Sequence, residues 1–305
     1  MITRHSRKGV TWIDLEQPSR EELRAVMNEF NIGARVEEEV ISPTPYPLVL
    51  SSSRYVYLVL HFPTANPDGG ARSQEIDFVV GKKFLITARY EVVEAIHSLH
   101  RVFEAEELLD LPMKSPNADV LIERVLRHVY GAIREHAENA ARMMERIEDD
   151  IFAGKEREMV RAISLTGRVL LRFDTTLTRH AEPLEAFLKD LSKPAFFGKD
   201  FELHAMHIQA EHDHTAALVH SYRAVVGELR TTNQSLLSAN QNSVIQTLTI
   251  MTFAAFPLSV IAGLFGMNNE YLPFIDSPNF FWIILGIMVF AVIVILSFFK
   301  YKRWF

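Results

Sequence analysis

The sequence predicts an α/β domain at the N-terminus, then a long helical hairpin, a stalk helix and two C-terminal transmembrane helices. Three observations carry this. Short runs rich in Val, Ile, Phe and Tyr, separated by turn residues, occupy the first third and then stop. Beyond Pro116 every regular pattern is helical. Charge then vanishes near the C-terminus: none falls between Thr231 and Asn269 or between Ser277 and Phe299, in a chain that is 23% charged as a whole.

In the first part, 1–112, a strand is expected over 10–15 (VTWIDL). A helix follows over 19–30, with Ser19 and Glu22 spaced as a capping box. Strands are expected over 46–50, 54–62, 73–80 and 83–89, with Gly81-Lys82 as a hairpin turn, and a helix over 92–109. In the second part, 113–198, helices over 117–152 and 156–191 flank the turn Ala153-Gly154-Lys155. Pro183 predicts a kink in the second of them. Lys193 to Gly198 (KPAFFG) reads as a break.

Part three, 199–266, is one helix. Only Pro257, Gly227 and Gly263 interrupt it, and a helix of that size spans roughly 100 Å at 1.5 Å per residue. A single chain cannot bury such a rod, so copies are expected to pack together. Its last part, about 245–266, is the first transmembrane helix. A short loop, 267–279, leads to the second, 280–299 (FFWIILGIMVFAVIVILSFF), which meets the requirement of about 20 apolar residues.

The tail 300–305 carries Lys300, Lys302 and Arg303, whereas the loop holds Glu270 and Asp276 and no Lys or Arg. The positive-inside rule puts both termini in the cytoplasm and the loop outside, in a multi-pass protein of the inner (plasma) membrane. The first residues hold no apolar signal core. With no cysteine, disulfides and thiolate metal sites are excluded. A net charge of −6 gives no footprint for nucleic acid and tends to attract cations. No nucleophile–base or paired-carboxylate arrangement argues for an enzyme, and no phosphate-binding loop is present.

On the first span, Asn242, Thr249, Thr252, Ser259, Gly263 and Gly266 are separated by 7, 3, 7, 4 and 3 residues, close to the 3.5 spacing of a bundle seam. Ile245 and Phe256 fill its gaps and Leu248 lies beside it. This stripe fits a pore lining and equally fits helix packing through small residues.

The motif that follows is Gly266-Met267-Asn268, preceded by Phe256-Pro257-Leu258-Ser259 and Ile261-Ala262-Gly263 and followed by Asn269-Glu270-Tyr271-Leu272-Pro273. In this position, with two C-terminal spans and a basic tail, it resembles the signature of the CorA family of divalent-cation channels. The resemblance is strongest over 241–305. Phe265 stands where the family usually has Tyr. The resemblance implies a homopentameric funnel with five first-span helices around the pore. It implies Gly266, Met267 and Asn268 as the outer selectivity ring, with Glu270 adding to the field there. The transported ion would be Mg²⁺, with Co²⁺ or Ni²⁺ also accepted. Oxygen acceptors on Asn268 and the last helix carbonyls suit a hydrated Mg²⁺, which gives up its water reluctantly. A hydrophobic gate is expected at Ile245 with Leu248, or at Phe256.

The family is thought to sense internal Mg²⁺ through carboxylates between subunits. The matching regions here hold Glu94 and His97 in one stretch and His204, His207, Glu211 and His214 on one face of the stalk. Imidazole favours Zn²⁺, Co²⁺ or Ni²⁺ over Mg²⁺. That keeps open a ZntB-type zinc transporter, and a solvated polar face remains an equal reading. A non-conducting membrane-anchored sensor or scaffold is the alternative of another class.

Overall fold

The computed structural model describes residues 1–65, 71–109, 117–267 and 279–301. Asn268, Glu270, most of the loop 267–279 and the tail beyond Tyr301 lie outside the described residues. The chain divides into two units, Met1–Thr231 and Thr232–Phe305.

The first unit opens with β1 (Ile2–Arg7) and β2 (Val10–Glu16), joined by a tight turn in which Lys8 and Gly9 both take positive φ. That is the backbone a two-residue hairpin with right-handed twist requires. Helices α1 (Arg20–Glu29) and α2 (Ala34–Ile41) follow, then β3 (Leu48–Ser51), β4 (Val56–Ala65), β5 (Ala71–Gly81) and β6 (Phe84–Arg89). The six strands form one sheet in the order β1-β2-β6-β5-β4-β3. Only the β2–β6 pair is parallel.

Helix α1 starts as the sequence predicts. Ser19 accepts from the Glu22 amide at 3.1 Å, and the Glu22 carboxylate accepts from the Ser19 amide at 2.8 Å. Leu23, Val26 and Met27 of α1 and Val36 and Val40 of α2 close over Ile13, Leu15, Tyr57, Val59 and Ile86 of the sheet. The opposite face is covered too, with α5 packed on β3 and β4. This double cover explains why Val56, Leu58 and Leu60 are as deeply buried as Tyr57 and Val59 between them.

Two elements escape the sequence reading. Strand β1 has the polar sequence ITRHSR and buries neither face fully, so it lacks the apolar alternation that signals a strand. Helix α2 is only 8 residues long, with two buried valines. The β5–β6 turn also shifts by one. Gly81 still pairs with Phe84, so the loop residues are Lys82 and Lys83. Gly81 lies under the Phe84 ring: a Cβ there would come within 2.3 Å of it, so the ring would have to shift.

The remaining helices of this unit are α3 (Glu94–Leu108), α4 (Asp119–Phe152) and α5 (Glu156–Leu191), the last running through Pro183. Helices α4 and α5 turn at Gly154, whose φ is +87°. After a 3-10 turn (Gly198–Phe201), α6 (Glu202–Phe265) runs for 64 residues, and α7 (Phe280–Tyr301) for 22. Among the described residues, α6 and α7 are the two helices long and apolar enough to cross a membrane.

Candidate functional site

The sequence places two groups of candidate residues on α6, one in each unit. In its second half, Asn242, Ile245, Leu248, Thr252, Phe256, Ser259, Gly263 and Gly266 are exposed and Thr249 is half-buried. The positions that lose exposure are Gln246, Thr249, Ile250, Ala254, Pro257, Leu258, Ile261 and Phe265. Ile250 and Phe299 of α7 are both buried, and the Phe299 ring meets Phe253 edge-on at 6.3 Å. Thr252, Phe256, Ser259 and Gly263 each stand two residues after one of the covered positions, about 200° around the helix. Thr252, Phe256 and Gly263 of the predicted stripe therefore stand away from the covered positions, whereas Thr249 is itself half-buried beside Ile250 and Ser259 adjoins half-buried Leu258.

The chemistry of that stripe follows from its hydroxyls. Thr249 donates to the Ile245 carbonyl at 2.7 Å, Thr252 to Leu248 at 2.8 Å, and Ser259 to Ala255 at 3.0 Å. Each proton is spent on the helix's own backbone. The oxygen then offers only lone pairs outward, a surface that suits cations and offers anions no donor. Between these acceptors stand two bulky apolar groups, Ile245 at 60% exposure and Phe256 at 68%, with Leu248 alongside. At the helix end the Gly266 amide donates to the Ala262 carbonyl at 2.9 Å. A Cβ at Gly266 would sit 2.7 Å from that same carbonyl oxygen, so the first motif residue must be glycine. Met267 is 61% exposed, and Asn268 falls outside the described residues.

In the first unit, the six candidate metal residues do not converge within one chain. His204 and His207 both turn to Glu123 of α4, at 2.5 Å from one carboxylate oxygen and 2.8 Å from the other. Glu211 pairs with Arg134. His97 reaches Glu16 at 3.1 Å, and Glu94 reaches Arg101 at 3.4 Å while staying largely exposed. His214 is exposed. Among the described residues no group of three or more His, Asp or Glu side chains is arranged to hold a metal ion. Within one chain the candidates other than His214 are therefore engaged by neighbouring side chains rather than gathered in one cluster. Arginines take up Glu94 and Glu211, and direct hydrogen bonds to Glu123 occupy His204 and His207.

Glu123 is the residue that sequence reasoning misses. It lies 81 positions before His204, and only the packing of α4 against α6 brings them together. Burial raises the Glu123 carboxyl, but the hydrogen bonds from His204 and His207, with help from Arg127, outweigh it and hold the group below its usual range. A second network ties α3 to the sheet. Arg89 is buried against Asp14 and Glu16 at 2.9 and 2.7 Å, and His100 reaches Asp14 at 3.0 Å.

Comparison with known proteins agrees with this layout. The chain is 22% identical over 296 residues to the cobalt/magnesium transport protein CorA of Methanocaldococcus jannaschii, covering 96% of this chain and 90% of that one. The complete structure of the CorA magnesium transporter from the same organism superposes with a TM-score of 0.84 at 19% identity, covering 97% and 92%. The ZntB cytoplasmic domain from Vibrio parahaemolyticus is more distant, with a TM-score of 0.60 at 9% identity over 75% of this chain and 88% of that domain. The sequence model of the CorA-like Mg²⁺ transporter protein family matches residues 7–303, from β1 past the end of α7, and the chain belongs to that family.

Proposed function

We propose that this protein carries divalent cations across the membrane passively, driven by the membrane potential, with Mg²⁺ as the main cargo and Co²⁺ and Ni²⁺ as further substrates. The observation that carries this reading is the exposed stripe of α6, where outward lone pairs alternate with bulky apolar groups. A stripe of that kind makes sense around a shared axis, and five copies of α6 around one pore is the arrangement we infer. The helix dipole adds to it: the C-terminal end of α6 is its negative end, and several such ends converging favour a cation. Asn268 and Glu270 extend the acceptor field beyond Gly266, with the loop outside and both termini in the cytoplasm.

No other energy source is required. A divalent ion gains about 4.6 kcal/mol per 100 mV, from about 2.3 per charge. At 1.4 kcal/mol per factor of ten, that supports accumulation on the order of 10³-fold. The alternative, zinc, rests on the histidines of α6, two of which, His204 and His207, hydrogen-bond Glu123 through Nδ1. Regulation by internal Mg²⁺ would need residues from two copies, and Glu94, His207 and His214 are the exposed candidates for it.

Asn268→Ala tests the filter. Mg²⁺ uptake into proteoliposomes should fall at least tenfold with the oligomer intact by size-exclusion chromatography. Uptake equal to the parent's would reduce Gly266-Met267-Asn268 to a helix cap.

A further inference from the structure

The outer face of helix α5 is lined with arginine. Arg157, Arg161, Arg168, Arg172 and Arg179 follow one another at spacings of 4, 7, 4 and 7, and all are exposed. At about 100° per residue they fall within about 60° of the helix circumference and stretch over about 33 Å. Between Arg157 and Arg179 that arc holds one further position, Thr175, and no carboxylate. It points away from the buried side of α5, which is marked by Ile163, Leu170, Phe173 and Leu177.

Such a row works against the lone chain. Arg157 with Arg161 and Arg168 with Arg172 are like charges four residues apart, which weakens a helix. A solvated helix face more often alternates the two signs. Among the described residues none of the five arginines is in an ion pair, although Arg124, Arg127 and Arg134 of α4 and Arg223 of α6 all are.

The opposite charge stands on α4. Glu138, Glu145 and Asp149 lie within about 40° of its circumference, turned from its buried Ala137, Met144 and Ile151. Glu135 and Glu148 flank them. Against these five carboxylates the stretch carries two arginines, Arg142 and Arg146, and Arg142 is turned to Asn139. Among the described residues none of the five carboxylates is in an ion pair either.

The two rows are in register. Tyr130 of α4 bonds His180 of α5 at 3.2 Å, and the His136 ring lies 6.4 Å from that of Phe173. In the antiparallel register those contacts fix, Asp149 stands level with Arg161 and Glu138 with Arg172, while Glu145 falls between Arg161 and Arg168. Within the first unit α6 lies along this hairpin, with His204 and His207 on Glu123 and His212 on the Leu177 carbonyl. Copies ringed about an axis that runs along α6 keep their hairpins at equal height. The carboxylates of one copy then stand at the height of the arginines of the next. A basic patch that meets an acidic one is a head-to-tail contact, the kind that closes into a ring.

We propose that the arginine row of α5 docks on the carboxylate row of α4 in a second copy of this chain, so that neighbours are joined through their hairpins as well as through α6. This rests on the ring of copies inferred above and assigns to it the surface that joins them.

The chain has no cysteine, so single cysteines report the contact without interference. Full-length Glu138→Cys and Arg172→Cys chains, carrying different tags, are co-expressed and treated in the membrane with a short bismaleimide. A cross-linked dimer holding both tags should form. Glu138→Cys with Arg157→Cys, about 22 Å further along the hairpin, should give less than a tenth of that yield. Arg161→Glu with Arg168→Glu should lower the yield of the level pair at least threefold, and Glu145→Arg with Asp149→Arg added to them should restore it. Native mass spectrometry of each variant reports whether the oligomer persists. An intact oligomer without the level cross-link overturns the docking and leaves the ring standing, as does a charge reversal that keeps the yield within twofold; arginines that instead meet anionic lipid give that result. Level cross-links in an assembly other than a pentamer uphold the docking and count against the five-fold reading. Monomers alone overturn both.

Discussion

His180 of α5 is fully buried between Phe62 and Tyr130. Its Nε2–H donates to the His61 carbonyl at 2.9 Å, which leaves Nδ1 to accept from the Tyr130 hydroxyl at 3.2 Å. Burial pushes its pKa down from 6.5 to about 3, so the folded protein holds it neutral. The unfolded chain protonates it first, so stability falls as pH drops from 6.5 toward 3, by about 1.4 kcal/mol per pH unit at most. His180→Phe should melt lower than the parent at pH 8, because the His61 carbonyl loses its donor, yet lose less stability between pH 6.5 and 5. Parallel melting curves for the two proteins across that range would contradict this. Asp77 is the opposite case. Complete burial drives its carboxyl well above the usual range, against the pull of the Tyr57 hydroxyl donating at 2.6 Å. Asn mimics the protonated acid, so Asp77→Asn should cost under about 1 kcal/mol in a denaturant titration at pH 7, and Asp77→Ala ~2 kcal/mol.

Among the elements, α6 takes part in both units, and each half has its own test. In the first unit, Glu123 bridges α4 to His204 and His207. Glu123→Gln should cost ~2 kcal/mol, as expected for hydrogen bonds to a charged group. Because the Glu123 carboxyl is held below its ordinary 4.5, that contribution is present above pH 4.5 and is lost as pH falls through the lowered value. In the second unit, five Phe256 side chains around one axis would form a ring that hydrated Mg²⁺ does not pass. Phe256→Ala and Leu248→Ala should each raise basal Mg²⁺ flux severalfold and weaken its inhibition by internal Mg²⁺. Two variants conducting like the parent would move the gate elsewhere. The long helices were legible because their signals are long: across the 64 residues of α6 only Gly227, Pro257 and Gly263 could interrupt it, and seeing that needs no tertiary information. Strand β1 and helix α2 were not, since one is a polar edge and the other is too short to show a period. The spacing of polar and small residues on α6 is visible in the sequence, whereas the role of Glu123 was not, because its partners lie more than 80 residues along the chain. The contacts of the histidine face were hidden for the same reason: sequence shows which side chains share a helix face, but not which neighbour engages them.

At the scale of the whole molecule, family membership and a TM-score of 0.84 fix the architecture of the chain. The assembly and its ion current remain our proposal. A pore made of one α6 from each copy predicts that transport requires the oligomer, and native mass spectrometry in mild detergent should find pentamers. The most direct test of the account is Mg²⁺ entry into proteoliposomes holding a valinomycin-set K⁺ potential, followed with an internal Mg²⁺-sensitive dye. The account predicts uptake that grows as the interior is made more negative, stops when the potential is collapsed, and is lost in Asn268→Ala. Uptake indifferent to the potential, or no Mg²⁺ uptake by the intact oligomer, would contradict it.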